Sequence, residues 1–396
     1  MIERNKSINR GKTLLALDQE MFGPVAAEKA LAMLRLHPSY RPSPLRSLGE
    51  VAATAGVRSV HIKDESGRFG LGSFKSLGGA YAVVCLALEE AGRVLGRPVL
   101  PGELLDPDVR AVVRNINVGC ATDGNHGRSV AAGANLAGCQ ANIFVHEGVS
   151  PERIAAIARF GANVIEVDGN YDDAVVEAER VCHANNWIIV SDTSWPGYER
   201  IPRLVMQGYT AMVSEILDEM AELPTHVFLQ AGVGGFAAAI AANLTLRSGT
   251  SRPKFIIVEP DRAACLLASN EADAPVKIAP VEPTVMAMLE CYEPSMLAWG
   301  ILSRLAEAYM TVRDPDAIAA MKQLARAENG RSRVVAGESG GAGLAGLLAA
   351  ASDPQGCELL GLNANSRVLL FNTEGATDPS IYKSLTGVDP RILVPA

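Results

Sequence analysis

The sequence predicts an α/β protein with two domains, each built around an open, twisted, mainly parallel β-sheet. Short apolar strands alternate with helices between residues 115 and 191, and the same alternation returns after residue 204. Each region carries a glycine-containing turn between a strand and a helix. Alternation of this kind favours right-handed crossovers and a parallel sheet covered on both faces. We predict a large discontinuous domain over 1–90 and 191–396 and a small domain over 91–190.

In the first region, apolar runs and helix stop signals define the predicted elements. Ser150 caps a helix whose first residue is Pro151, while Gly138 and Gly161 each end a helix. The predicted strands cover 115–120, 140–146, 163–168 and 187–191, and the predicted helices cover 125–137, 151–160 and 171–185.

The second region repeats the pattern with longer gaps. Residues 269–294 contain four prolines and no clear period, so we predict a loop-rich stretch there. The predicted strands cover 227–230, 255–259 and 368–372, and the predicted helices cover 204–220, a segment from 237 onward and 340–351.

The composition argues against several classes of protein. The 396 residues carry 36 basic and 44 acidic side chains, which gives a formal net charge of −8, and 48% are hydrophobic. No apolar run reaches the roughly 18 residues of a membrane span, and the first 19 residues lack the apolar segment of a secretion signal. Net acidity without a basic stripe argues against nucleic-acid binding. Seven cysteines without C-x-x-C spacing favour reduced thiols in the cytoplasm, and we expect no catalytic metal.

The first chemical motif is the turn Gly232, Val233, Gly234, Gly235 between a strand and a helix. Glycines there let successive backbone N–H groups surround an anion at the positive helix end, which predicts phosphate binding. The turn also fits G-x-G-x-x-A, and Glu259 ends the next strand at dinucleotide-motif spacing. From this motif alone, NAD or FAD, another phosphate-bearing cofactor and a purely structural turn all stay open.

The second motif places Lys75 at the start of an apolar helix that runs to about residue 90. The positive helix end and a hydrophobic neighbour both lower the pKa of an amine. An amine activated in this way attacks carbonyl groups and carries a Schiff base. The alternative is an ordinary solvated lysine in a first helical turn.

The third motif, residues 122–127, also connects a strand to a helix. Its backbone N–H groups are suited to a carboxylate. Asn125 offers a neutral side chain for the edge of a cofactor ring, and Asp123 is a candidate base. The alternative is an N-capping aspartate with a turn asparagine, and His126 is equally compatible with a structural role.

Together these motifs resemble those of the fold-type II pyridoxal-phosphate enzymes and, within that group, the diaminopropionate ammonia-lyases. This resemblance implies a fold of two α/β domains with the cofactor in the cleft between them, and it argues against a dinucleotide. The matching stretches extend from about residue 38 to 380: KDESGRFGLGSFKSLGGAYA, ATDGNHGR, SDTSWPGYERIPRLVMQGY, IIVEP, VAGESGGAGLAG and NTEGATDP.

The resemblance also implies roles for single residues. Lys75 would hold the cofactor as a Schiff base and act as a base at the substrate Cα, with Asp123 as a second base. Thr373 would contact the pyridine nitrogen and Asp192 the distal amine of the substrate. The implied cofactor-binding residues are Lys75, Asn125, Gly232, Val233, Gly234, Gly235, Glu338 and Thr373, and the implied substrate-binding residues are Thr122, Asp123, Gly124, His126 and Asp192.

The implied activity is α,β-elimination of ammonia from D- and L-2,3-diaminopropionate, giving pyruvate and two ammonia, by a cytoplasmic homodimer. One segment departs from the family pattern, because Met288, Glu290 and Tyr292 stand where smaller or different residues are expected. Another fold-type II β-eliminase or dehydratase, acting on serine, threonine or another β-substituted amino acid, is therefore the alternative function.

Overall fold

A computed structural model describes residues 1–122, 124–326 and 333–393. The strands are β1 Ile2–Arg4, β2 Leu45–Ser47, β3 Ser59–Asp64, β4 Asn117–Ala121, β5 Gln140–His146, β6 Asn163–Val167, β7 Ile188–Ile189, β8 His226–Gln230, β9 Lys254–Pro260, β10 Ala306–Val312 and β11 Arg367–Asn372. The helices are α1 Ala16–Phe22, α2 Pro24–Leu34, α3 Gly49–Thr54, α4 Lys75–Leu95, α5 Pro107–Val113, α6 Asn125–Ala137, α7 Pro151–Ala158, α8 Tyr171–Asn185, α9 Arg200–Glu219, α10 Gly235–Ser248, α11 Cys265–Ala272, α12 Met296–Leu305, α13 Asp314–Leu324, α14 Ala342–Ser352, α15 Pro354–Leu360 and α16 Pro379–Thr386.

One compact unit comprises Met1–Ala27, Pro42–Gly67 and Met212–Ala396. Its seven-stranded sheet has the order β1-β10-β9-β8-β11-β3-β2, with parallel central strands and antiparallel strands at both edges. Every residue of β8 is buried, as expected for a parallel strand covered on both faces. The carboxyl ends of β8 and β11 are therefore neighbours at one edge of this sheet.

The second compact unit comprises Glu28–Arg41 and Arg68–Ala211. Its four strands are all parallel, in the order β6-β5-β4-β7. The turn of the third motif follows β4, and α6 begins directly after it.

This division differs from the boundaries predicted near residues 91 and 190. The physical reason lies in α4, which packs closely on α6 within the second unit. A Cβ atom added to Gly79 would lie 2.8 Å from Ser129 Oγ, and one added to Gly133 would lie 2.6 Å from the Cα of Ala80. Two glycines thus allow the close approach of these helices, and Lys75 belongs to the same unit as Asn125 and Asp192.

The predicted elements of the first region are present with small shifts of their ends. α6, β5 and α8 have the predicted bounds, whereas the last strand shortens to β7. Strands β1, β2, β3 and β10 had no counterpart in the prediction. β10 follows α12 directly, so no glycine or proline in the sequence marks the end of the helix and the start of the strand. Within the described ranges, no helix has the length and apolar character needed to cross a membrane.

Candidate active site

Lys75 is the first residue of α4, as its sequence context predicts, and it is paired with an acid. Its ammonium lies 2.8 Å from Oδ2 of Asp192, just beyond β7. Both side chains are largely shielded from water, with 24% and 19% of their surfaces exposed. Burial opposes ionisation of Asp192, but the charges of Lys75 and His126 outweigh it and hold the pKa of this carboxyl well below its usual range. The pair is therefore a charged one.

His126 lies on the other side of the Asp192 carboxylate. Its Nε2 lies 2.7 Å from the carbonyl oxygen of Val190, and a carbonyl only accepts, so Nε2 carries the proton and donates. The other ring nitrogen, Nδ1, lies 3.9 Å from Oδ2 of Asp192. Asp192 thus has a lysine on one side and an imidazole on the other, all within the second unit.

The turn before α6 is held by Thr122. The backbone N–H groups of Gly124 and Gly127 both donate to its Oγ1 at 3.0 Å. Gly124 has a φ of +148°, which favours glycine. The Oδ1 of Asn125 accepts a 2.6 Å hydrogen bond from Arg128, so its NH2 end is directed to the other side. The predicted base Asp123 lies outside the described residues.

The glycine turn in the other unit connects β8 to α10. Gly234 precedes the helix with a φ of +95°, and a Cβ there would lie 3.0 Å from the Cβ of Ala298. A Cβ on Gly232 would lie 2.8 Å from Sγ of Cys291. A side chain at either glycine would therefore collide with these neighbours. The N–H groups in the first turn of a helix have no acceptor within that helix, so those of α10 are suited to bind an anion.

Thr373 follows β11 beside the end of β8. Its Oγ1 accepts a 3.0 Å hydrogen bond from Nε2 of Gln230, and both side chains are buried. Glu338 is also buried, in the turn before α14. That turn contacts the same strand end, because Gly337 N–H donates to the carbonyl of Glu374 at 2.9 Å.

Glu259 has a structural role. Its two carboxylate oxygens accept hydrogen bonds of 2.7 and 2.8 Å from the backbone N–H groups of Leu266 and Leu267, in the first turn of α11. Burial raises the pKa of this fully buried carboxyl to about 8. With both oxygens already bonded to the helix, the carboxylate does not serve the ribose of a dinucleotide.

The segment that departs from the family pattern is internally bonded. Glu290 accepts hydrogen bonds from the Tyr292 hydroxyl at 2.6 Å and from the N–H of Thr284 at 3.1 Å. Burial and this carboxylate raise the pKa of Tyr292 to about 12. The N–H of Met288 donates to Ser339, next to Glu338. Glu290 and Tyr292 therefore hold their own loop together.

Comparison with known proteins decides the family. A model of the family described as "Pyridoxal-phosphate dependent enzyme" matches residues 36–363. The chain belongs to this family. Two relatives are diaminopropionate ammonia-lyases: that of Escherichia coli K12 is 38% identical over 362 residues, 90% of each chain, and that of Salmonella typhimurium is 35% identical over 392 residues, 96% of each chain.

Solved structures agree with this assignment. The Escherichia coli diaminopropionate ammonia-lyase, in complex with an aminoacrylate-PLP azomethine reaction intermediate, superposes with a TM-score of 0.84 at 35% identity, covering 98% of this chain and 96% of that chain. Threonine deaminase isoform 2 of Solanum lycopersicum shares the fold, with a TM-score of 0.71 at 22% identity. The predicted fold type and the pyridoxal-phosphate cofactor are confirmed, and the dinucleotide alternative is wrong.

The described residues fit this cofactor in each unit taken by itself. One unit supplies a glycine turn open to a phosphate and the hydroxyl of Thr373, and the other supplies Lys75 and the NH2 of Asn125. Gln230 and Arg128, which contact Thr373 and Asn125, were not among the predicted site residues. A glutamine that ends an otherwise apolar buried strand, next to a glycine turn, is the signal that would have identified Gln230. The position of the cofactor in a cleft stays a prediction.

Proposed function

We propose that this chain is a pyridoxal-phosphate-dependent ammonia-lyase that eliminates ammonia from 2,3-diaminopropionate, giving pyruvate and two ammonia. The observation that carries this proposal is the pairing of the Asp192 carboxylate with an ammonium group, 2.8 Å from Nζ of Lys75. A shielded carboxylate with a strongly lowered pKa is suited to hold a second amine. The relatives named above are diaminopropionate ammonia-lyases, which supports the proposal.

When bound, pyridoxal phosphate supplies an electron-withdrawing ring conjugated to the substrate's amino nitrogen, which acidifies the Cα hydrogen. We assign the phosphate to the backbone N–H groups of Gly232, Val233, Gly234 and Gly235, because the positive end of α10 suits an anion. Asn125 donates from its NH2 to the ring oxygen, since Arg128 occupies its Oδ1. Thr373 would donate its O–H to the ring nitrogen, and Glu338 would line the ring.

Lys75 has two roles in this proposal. Its amine attaches the cofactor and then removes the proton from the substrate Cα. The amine must give up its proton and its partner Asp192 to do so, since a neighbouring carboxylate favours the charged ammonium. Asp192 is then available for the distal ammonium of the substrate. We assign proton transfer on the other face to Asp123, which would allow both enantiomers to react.

We assign the substrate carboxylate to the turn that Thr122 and Gly124 form at the positive end of α6. His126 stands behind Asp192 and keeps its carboxylate oriented. We further propose a cytoplasmic homodimer with a small amino acid as substrate. The dimer is supported by exposed apolar side chains near the start of the chain, Ile8, Leu15, Leu17 and Val25. Light scattering of the purified enzyme tests the dimer.

The deciding experiment is a substrate assay with both products measured. The holoenzyme is given D- or L-2,3-diaminopropionate, and pyruvate and ammonia are quantified in the same sample. We expect two ammonia per pyruvate with either enantiomer. Turnover of serine or threonine alone, with one ammonia per oxo acid, would instead establish the dehydratase alternative.

A further inference from the structure

Gln230, the last residue of β8, has an amide orientation that its neighbours determine. Its Nε2 lies 2.9 Å from the carbonyl oxygen of Phe371 and 3.1 Å from that of Gly340. Both carbonyls only accept hydrogen bonds, so the NH2 end of the amide must face them. The two protons of this nitrogen are shared among three acceptors, and the amide nitrogen itself does not accept, so in its 3.0 Å contact with Oγ1 of Thr373 threonine is the acceptor.

This constraint determines the direction of the Thr373 hydroxyl proton. A hydroxyl has one proton to donate, and Gln230 offers only donors toward it. Within the described part of the chain, the structure records no acceptor for this O–H group. Thr373 is 4% exposed, so bulk water has little access to its hydroxyl group. The proton is thus available to an acceptor that a bound ligand brings.

We propose that Gln230 is a positioning residue that makes Thr373 a hydrogen-bond donor to the ring nitrogen of pyridoxal phosphate. This inference rests on the role given to Thr373 in the proposed function. A nitrogen that accepts a hydrogen bond from a neutral hydroxyl is held without its own proton. Gln230 thereby limits the electron-withdrawing power of the ring through Thr373, without touching the cofactor itself.

Packing supports a dedicated position for this amide. Gln230 is 1% exposed, and a Cβ added to Gly343 of α14 would lie 3.1 Å from its Oε1. The neighbouring helix therefore has a glycine where the amide lies against it. The side-chain amide connects β11, the turn before α14 and Thr373. Removing it should therefore change the binding of the cofactor as well as the stability of the protein.

The test uses Gln230→Met, Thr373→Val and the double variant, each as purified full-length protein. Two quantities are measured: the affinity of the apoprotein for pyridoxal phosphate, by fluorescence titration, and the pH at which the holoenzyme absorbance spectrum changes. We expect Gln230→Met to weaken cofactor affinity about 3- to 10-fold, the effect of one hydrogen bond. Its spectral transition should move to higher pH, since an unsupported ring nitrogen binds a proton more readily.

The double variant separates positioning from a general effect. If Gln230 acts through Thr373, adding Gln230→Met to Thr373→Val should change affinity by less than about twofold. Additive losses in the double variant, or an unchanged spectral pH in Gln230→Met, would overturn the proposal. Thr373→Ser keeps the hydroxyl and should restore the wild-type spectral pH.

A matched control is available on α10. Asn243 is fully buried and donates from Nδ2 to the carbonyl of Phe22 at 2.6 Å. Like Gln230, it has a buried amide oxygen that accepts no hydrogen bond from the residues that the structure describes. Asn243→Leu should lower the melting temperature and leave the spectral pH unchanged. If Gln230→Met does not fold, Gln230→Glu replaces it, because an ionised carboxylate accepts the Thr373 proton and cofactor affinity should then fall as pH rises. An affinity that stays flat with pH in that variant contradicts the proposal.

These readouts do not depend on the substrate. A holoenzyme that releases no ammonia from 2,3-diaminopropionate would refute the proposed reaction, while the titrations would still decide the role of Gln230. Conversely, full lyase activity combined with an unchanged spectral pH in Gln230→Met would refute only the positioning role.

Discussion

The two units differ in the chemistry of the site residues that each one carries. One has the lysine trio of Lys75, Asp192 and His126, whereas the other has a backbone turn, a hydroxyl and an amide. Their buried carboxyls show the same contrast. Asp192 faces a cation and its pKa is lowered, while Glu259 is bonded by two backbone N–H groups and the Cys265 thiol, and burial raises its pKa to about 8. A neighbouring cation, more than burial, thus distinguishes the carboxyl suited to bind a substrate amine.

The largest effect should come from removing the cation of the lysine trio. Lys75→Ala deletes both the attachment point of the cofactor and the base at Cα, so kcat should fall on the order of 10⁴-fold. Borohydride reduction followed by mass spectrometry should no longer find cofactor on the chain. Lys75→Arg is the control, since it keeps a cation beside Asp192 but forms no Schiff base. Recovery of activity in the arginine variant would contradict the role of the amine.

Asp192→Asn should produce the next largest effect, and a selective one. A hydrogen bond to a charged group contributes about 1.5–3 kcal/mol, so kcat/KM for 2,3-diaminopropionate should fall roughly 10- to 150-fold. Turnover of serine, which has no distal amine, should change less. Glu290→Gln is the control, because Tyr292 and Thr284 already occupy that carboxylate. Equal losses for both substrates would show that Asp192 does not contact the distal amine.

The lysine trio also shows which contacts could not be predicted from the sequence. The place of Lys75 at a helix start was predictable from local signals, as were the bounds of α6 and α8. Its pairing with Asp192 joins positions 117 apart, and the contact of Gln230 with Thr373 joins positions 143 apart. No local pattern encodes such contacts, because they depend on which strand ends become neighbours. Family resemblance assigned Asp192 to a substrate amine, but only the structure shows its lysine partner.

Backbone groups should give a smaller effect than charged ones. Gly234→Ala forces a side chain into a left-handed conformation, which costs about 1–2 kcal/mol, and brings its Cβ to 3.0 Å from Ala298. We expect the affinity of the apoprotein for pyridoxal phosphate to fall about tenfold. Gly249→Ala, at the other end of α10, is the control. It also has a positive φ, but its Cβ would have no neighbour within 4 Å. Equal loss of affinity in both variants would argue against a phosphate role for the turn.

The smallest effect concerns the carboxyl without a cation. Because folding raises the pKa of Glu259 from 4.5 to about 8, its contribution to stability is complete below about pH 4.5 and is lost as pH rises through about 8. Glu259→Gln cannot titrate, and its amide oxygen still accepts from the start of α11. Between about pH 5 and pH 9, the free energy of unfolding should therefore fall less in the variant, by on the order of 1–3 kcal/mol. Urea unfolding at both pH values measures this, with the exposed Glu293→Gln as control. If wild type and Glu259→Gln lose stability in parallel, the carboxyl of Glu259 titrates like an exposed one. Its pKa is then not raised by burial, and the stated difference between Glu259 and Asp192 is wrong.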